Sequence, residues 1–185
     1  MATKFLKALL VASAVLVSTS AFAQEASVRV GGAPMYASKN IIENAVNSKD
    51  HTTLVAAVKA AGLVDALSGA GPFTVFAPVN AAFAALPEGT VDTLLKPENK
   101  GMLTKILTAH VVAGKYSDAD LLAKAEANPG GFTLKTLSGD TLQFTKLGSV
   151  LYVVDESGDA AKITISDVNQ SNGVIHVVNK VLLPK

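Results

Sequence analysis

An α+β domain is the fold class this sequence predicts, and three observations point to it. The first half of the chain repeats apolar residues at spacings of three and four, the helical period. From Phe132 onward the period changes to two, with glycine-centred turns between short runs. No linker rich in proline, glycine or serine separates the halves, so the helices and a mostly antiparallel sheet belong to one domain.

Residues 1–23 read as a signal peptide to be removed. Lys4 and Lys7 precede the apolar stretch Ala8 to Val17, and Ala21-Phe22-Ala23 fits small-x-small cleavage. Residues 24–38 mix Gly31, Gly32 and Pro34 with polar residues and read as a flexible lead-in. The domain then runs over 39–185. Ile41, Ile42, Ala45 and Val46 form one helical stripe, and Leu54, Val55, Val58 and Ala61 a second that Gly62 terminates. Leu63, Val64 and Leu67 suggest a further short turn.

The stretch around which the rest is organised is Phe73 to Phe83. Phe73 to Ala77 reads as a short buried strand. Pro78 ends it, having no N–H for a ladder, and Asn80 is placed to cap a helix carrying Phe83 and Leu86. Thr90 to Leu95 makes a short helix. Pro97 opens another, with Leu103, Ile106, Leu107 and His110 on one face. Val111 to Gly114 leaves it as a strand, and Ser117 to Asp120 has capping-box spacing before Leu121. Phe132/Leu134, Leu142/Phe144 and Ala161/Ile163/Ile165 alternate with polar residues. Val150 to Val154 and Val174 to Val178 are continuous apolar strands.

Composition excludes several functions. Net charge is +1, with no block of like charge, which leaves no footprint for nucleic acid. Without Lys4 and Lys7 the 16 basic residues become 14, against 15 acidic. The absence of cysteine removes thiol catalysis and Cys-ligated zinc, and leaves an exported chain to hold itself by packing. Beyond the signal peptide no apolar run approaches the ~20 residues that span a membrane. The expected location is a periplasm or the extracellular medium.

Three histidines are the candidates for chemistry. His51 falls in a polar turn before a helix and reads as solvated or part of a cap. His110 on its apolar stripe and His176 in mid-strand read as buried imidazoles bonded to backbone groups. No HxH or HExxH spacing makes a metal site of them. No GxSxG elbow or phosphate-binding loop is present, and the acids of Asp155-Glu156-Ser157-Gly158-Asp159 read as a hairpin turn rather than a calcium loop. No cofactor is expected.

Three segments resemble the signatures of fasciclin-like domains. Phe73-Thr74-Val75-Phe76-Ala77-Pro78-Val79-Asn80-Ala81-Ala82-Phe83 is similar to the first, Leu107 to Gly114 with His110 to the central one, and Asn172-Gly173-Val174-Ile175-His176 onward to Pro184 to the last. Thr74, Phe76, Pro78, Asn80, Phe83, His110, Asn172 and Gly173 are the structural positions of these motifs. Val79 departs from the usual hydroxyl residue and Asn179 from the common Asp. In length and leader the chain resembles single-domain secreted bacterial members.

The resemblance implies a wedge of short, mostly antiparallel strands with a helical layer, and adhesion rather than catalysis. It also implies interaction candidates at Asp167, Val168 and His176, whereas turn chemistry alone makes Asp167 a loop residue before Asn172-Gly173. The expected partner is a protein or polysaccharide at a cell surface or matrix, met by a monomer or weak homo-oligomer. The alternative is a periplasmic carrier holding a small apolar ligand between wedge and helices. A hydrolase lacks any visible activated nucleophile.

Overall fold

A computed structural model describes residues 27–185. The signal peptide read over 1–23 lies outside the described residues, as do 24–26. The rest of the expected lead-in is corrected. Ser27–Val30 (β1) and Ala33–Tyr36 (β2) pair antiparallel as a hairpin. Gly31 and Gly32 close it at φ 58° and 78°, the two left-handed residues that a tight hairpin turn favours. Val30 and Met35 are buried, and burying two such side chains anchors a segment whose polar character suggested loose chain.

Helices Ile41–Ala45 (α1), Thr52–Ala61 (α2) and Val64–Ser68 (α3) come next, and then strand Phe73–Pro78 (β3). Gly62 ends α2 at φ 73°, with its amide on the Lys59 carbonyl. Asn80–Ala84 (α4), Thr90–Leu94 (α5) and Lys100–Ala109 (α6) succeed β3, Pro97 opening a 3-10 turn over Pro97–Asn99 ahead of α6. Val111–Ala113 (β4) leads to Asp118–Ala127 (α7), whose first turn is closed by a reciprocal Ser117–Asp120 capping box. The strands Phe132–Lys135 (β5), Thr141–Leu147 (β6), Val150–Val154 (β7), Ala160–Gln170 (β8) and Gly173–Val178 (β9) complete the chain.

Seven strands form one sheet in the order β4-β3-β9-β8-β7-β6-β5. All neighbours are antiparallel except β3 and β9, which run parallel with Phe76 opposite His176. The sheet curls until its outer strands meet, through a Val112–Thr136 bridge and a 2.8 Å bond from the Leu137 amide to the Val111 carbonyl. At the entry to the parallel pair the backbones touch. A Cβ on Gly173 would stand 2.1 Å from the Phe73 carbonyl oxygen.

Alternation along β3 and β9 feeds two cores. Val75, Ala77, Ile175 and Val177 pack against Leu54 and Val58 of α2 and Leu103 and Leu107 of α6. Phe76 and Val178 face the inside of the curl, with Phe144, Val153 and Leu121. Phe76 and Phe144 lie 5.3 Å apart between ring centroids, and Phe132 stacks on Phe144 at 5.1 Å. Both faces of the parallel pair are covered, which is why these strands read as unbroken apolar runs.

Candidate functional site

The motif residues of β3 and β9 build one polar seam. Thr74 is fully buried; its hydroxyl donates to the Gly114 carbonyl at 2.8 Å and accepts the Tyr116 amide at 2.9 Å. That clamp fixes the chain after β4, which in turn aims the Tyr116 carbonyl at His176. His176 Nε2 donates to it at 2.9 Å, so the imidazole carries its proton there. Nδ1 is left to accept the Asp167 amide at 3.4 Å, and the ring stacks on Phe76 with centroids 5.7 Å apart. Burial pushes the His176 pKa below the usual histidine value; the Tyr116 carbonyl, Asp167 and Asp118 oppose this and are outweighed.

Asp167 is not in a loop before Asn172-Gly173, and that expectation is corrected. It lies inside β8, where the pairing with β9 slips between Ile165 and Val168. Asp167 adopts φ 54° in this bulge, a left-handed conformation that Asp tolerates better than most residues. Its Oδ1 accepts the Asp118 amide at 2.8 Å, placing a carboxylate on the N-terminal end of α7. Val168 and His176 have no exposed surface, so of the three interaction candidates only Asp167 reaches solvent.

The remaining polar motif residues are joints. Asn172 Oδ1 accepts the Ile41 amide at 3.0 Å while Nδ2 donates to the Leu67 and Gly69 carbonyls, tying β9 to α1 and α3. Asn80 does not cap its own helix, contrary to expectation. α4 starts from Val79 without a side-chain cap, and Asn80 Oδ1 accepts from Thr53 in α2. Pro78 is the last residue of β3, opposite Val178, and Phe83 is buried against the helical layer. His110 ends α6, its Nδ1 donating to the Ile106 carbonyl at 2.8 Å and its Nε2 accepting the Leu182 amide at 2.9 Å. Burial lowers its pKa to about 4, against weaker opposition from the Ile106 carbonyl and Asp155.

His51 is buried, which corrects the solvated reading, and it stands at the N-cap position of α2, as the cap reading had it, without a side-chain cap bond. Ser48 Oγ lies 2.9 Å from its Nδ1, and Nε2 has no hydrogen-bond partner among the described residues. Burial lowers its pKa too; the backbone of Ala77 and the Asp50 carboxylate push the other way. Two further joints escaped the sequence reading. Asn44 is wholly buried and pairs with both backbone groups of Tyr36 and with the Gln170 side chain. Its signal was a lone amide among Ile41, Ile42 and Ala45. Asp155 accepts the Ser157, Asp159 and Leu183 amides, a role that the turn reading held only in part.

Among the described residues no three His, Asp or Glu side chains gather in a way that could hold a metal ion, and no helix is long and apolar enough to cross a membrane. The space between sheet and helices, where the alternative reading placed an apolar ligand, is a cavity of about 30 Å³, room for about one water. Two larger depressions open outside it. One is an apolar groove of about 500 Å³ between α5, α6 and the C-terminal segment. The other is a polar pocket of about 140 Å³ beside the β8 bulge.

Comparison with known proteins agrees with this architecture. The sequence model of the Fasciclin domain matches residues 49–184. Protein sll1483 of Synechocystis is 47% identical over 160 residues, covering 86% of this chain and 82% of that one. Immunogenic protein MPB70 of Mycobacterium bovis is 37% identical over 145 residues, covering 76% and 66%. A FAS1 domain pair from the insect cell adhesion molecule Fasciclin I superposes with a TM-score of 0.70 at 18% identity, over 78% of this chain and 51% of that one, a likeness of fold. With its three motifs built into one seam and the family pattern spanning nearly all of the described residues, the chain belongs to the fasciclin domain family.

Proposed function

We propose that the chain is an exported, non-catalytic adhesion or interaction module of the fasciclin type, meeting a protein or polysaccharide at a cell surface or matrix. The observation that carries this reading is how the polar motif residues are used. Thr74, Asn80, His110, Asn172 and His176 each spend side-chain hydrogen bonds inside the fold, on backbone groups. A general base needs a nitrogen or carboxylate within reach of a substrate proton, and these groups face carbonyls and amides instead. The relation to a cell adhesion molecule of the same fold supports the same direction. The test is saturable binding of the purified chain to cells, matrix or immobilised polysaccharide. Binding to one class of surface is the expected result, and binding to none overturns the reading.

A second reading, uptake of a small apolar molecule, is favoured by one feature. The groove of about 500 Å³ has the size of a ligand site and is lined by Leu86, Leu94, Met102 and Ile106, with Met102 61% exposed. Native mass spectrometry of protein taken from its host checks it: a retained ligand supports the carrier, and consistently empty protein removes it.

A further inference from the structure

The polar pocket beside the bulge is unclaimed by the motif residues. It opens between the first turn of α7, the turn joining β6 to β7, and the outer side of β8. Its polar wall is made by Asp118, Ser149, Lys162, Thr164 and Ser166. The side chains of Asp118, Ser149, Lys162 and Ser166 form no hydrogen bond or ion pair among the described residues. Thr164 donates to the Val177 carbonyl at 3.2 Å, which leaves its oxygen free to accept.

The bulge explains how such a wall arises. In a regular strand, residues alternate strictly between faces, and one extra residue re-aims the side chains beyond it. The slip between Ile165 and Val168 turns Val168 inward and leaves Ser166 at the pocket. Asp167 holds the slip in place with one bond to Asp118 in α7 and one to His176 in the core. The buried seam thereby positions an exposed site.

The chemistry of the wall selects a ligand class. One carboxylate and one ammonium cancel, so neither an anion nor a cation is favoured as such. Three hydroxyls, an acceptor and a donor suit a molecule whose own groups both donate and accept at short intervals, as sugar hydroxyls do. At about 140 Å³ the pocket is smaller than sites for drug-sized ligands, which run to about 300–1,000 Å³, and it matches a single ring. We propose that this pocket seats one neutral pyranose ring of a polysaccharide, with Asp118 and Lys162 bonding its hydroxyls and Ser149, Thr164 and Ser166 completing the polar wall. The proposal rests on the interaction-module reading and names its ligand.

Titration of the isotopically labelled chain with short oligosaccharides of glucose, mannose and galactose, monitored by amide shifts, tests it. Saturable shifts centred on Asp118, Ser149, Lys162, Thr164 and Ser166 are expected with at least one series. Asp118→Ala and Lys162→Ala should each weaken that binding about tenfold, the worth of one charge-assisted hydrogen bond, and Lys162→Ala should do so at unchanged melting temperature. No saturable shift in the pocket with any series, or binding indifferent to both substitutions, overturns it. If the chain adheres to surfaces while the pocket stays silent, the pocket fails and the module stands. If sugars fill the pocket but the chain adheres to nothing, the module reading falls and the pocket stands.

Discussion

Asn80 begins α4 but stabilises α2: its Oδ1 accepts the Thr53 amide at 3.0 Å and its Nδ2 donates to the Lys49 carbonyl at 2.8 Å. One side chain therefore joins the strand-to-helix turn of the first motif to the start of a helix distant in sequence. Replacing it with Ala should cost about 1–2 kcal/mol, the range for a lost cap. Amide exchange should rise first at Thr53 and its neighbours in α2. Asn80→Asp, which keeps the acceptor alone, should recover part of the loss. Exchange rising first in α4 would show that Asn80 serves its own helix after all.

Acid should weaken the fold through its three buried histidines. His51, His110 and His176 all have folded pKa values below the ordinary 6.5, chiefly through burial. Below about pH 6.5 the unfolded chain takes up protons that the folded chain refuses, so stability present at neutral pH is lost as pH falls. For His110 the loss continues to about 4 and then levels off, when the folded ring also protonates. Each tenfold change in proton affinity is worth about 1.4 kcal/mol, which makes the His110 share about 3 kcal/mol. Urea unfolding between pH 8 and pH 4.5 measures the slope. A flat profile there contradicts it.

Gly173 and Gly101 should respond to alanine in opposite directions. At Gly173 the new methyl would meet the Phe73 carbonyl at 2.1 Å and force the parallel pair apart. A loss of at least about 3 kcal/mol is expected, at the upper end for single substitutions. Gly101, in the first turn of α6, has open space around it, and alanine should add about 0.5 kcal/mol through helix propensity. Thermal melts of the two variants give the comparison, and equal effects would refute the close approach.

Asp155 holds the C-terminal segment through its 2.8 Å bond from the Leu183 amide. Asp155→Ala removes the acceptor for three amides, at about 1.5–3 kcal/mol for each bond to a charged group before relaxation. The segment from Val181 should then be cut by protease faster than the body of the domain, with the fragments identified by mass spectrometry. Unchanged cleavage would assign the hold on this segment to Leu182, through its packing and the bond from its amide to His110 Nε2.

Legibility in the sequence tracks the range of each interaction. Ser117–Asp120 and Gly62 were legible because cap and helix are neighbours. Asn80 was misread because its partner helix lies elsewhere in the chain, and spacing holds no trace of that. The β1–β2 hairpin had a readable sign, two adjacent glycines between apolar residues, that polar surroundings hid. His51 looked solvated because its neighbours are polar, although the fold turns its ring into the core. The family signatures gave the residues of the seam but not its wiring. The β8 bulge, which decides that Asp167 faces out while Val168 faces in, leaves no mark in the alternation around it. The pocket at its lip draws on α7, β7 and β8 together, and no segment read alone contains it.

The meeting of β4 and β5 at Val112 and Thr136 has a consequence for life at high density. Sheet proteins polymerise most readily through outer strands whose amides and carbonyls are idle. Here those strands meet at one bridge and one backbone bond, which takes that stretch of edge out of reach of a neighbour. At high concentration this closure works against strand-to-strand growth at that point of the sheet.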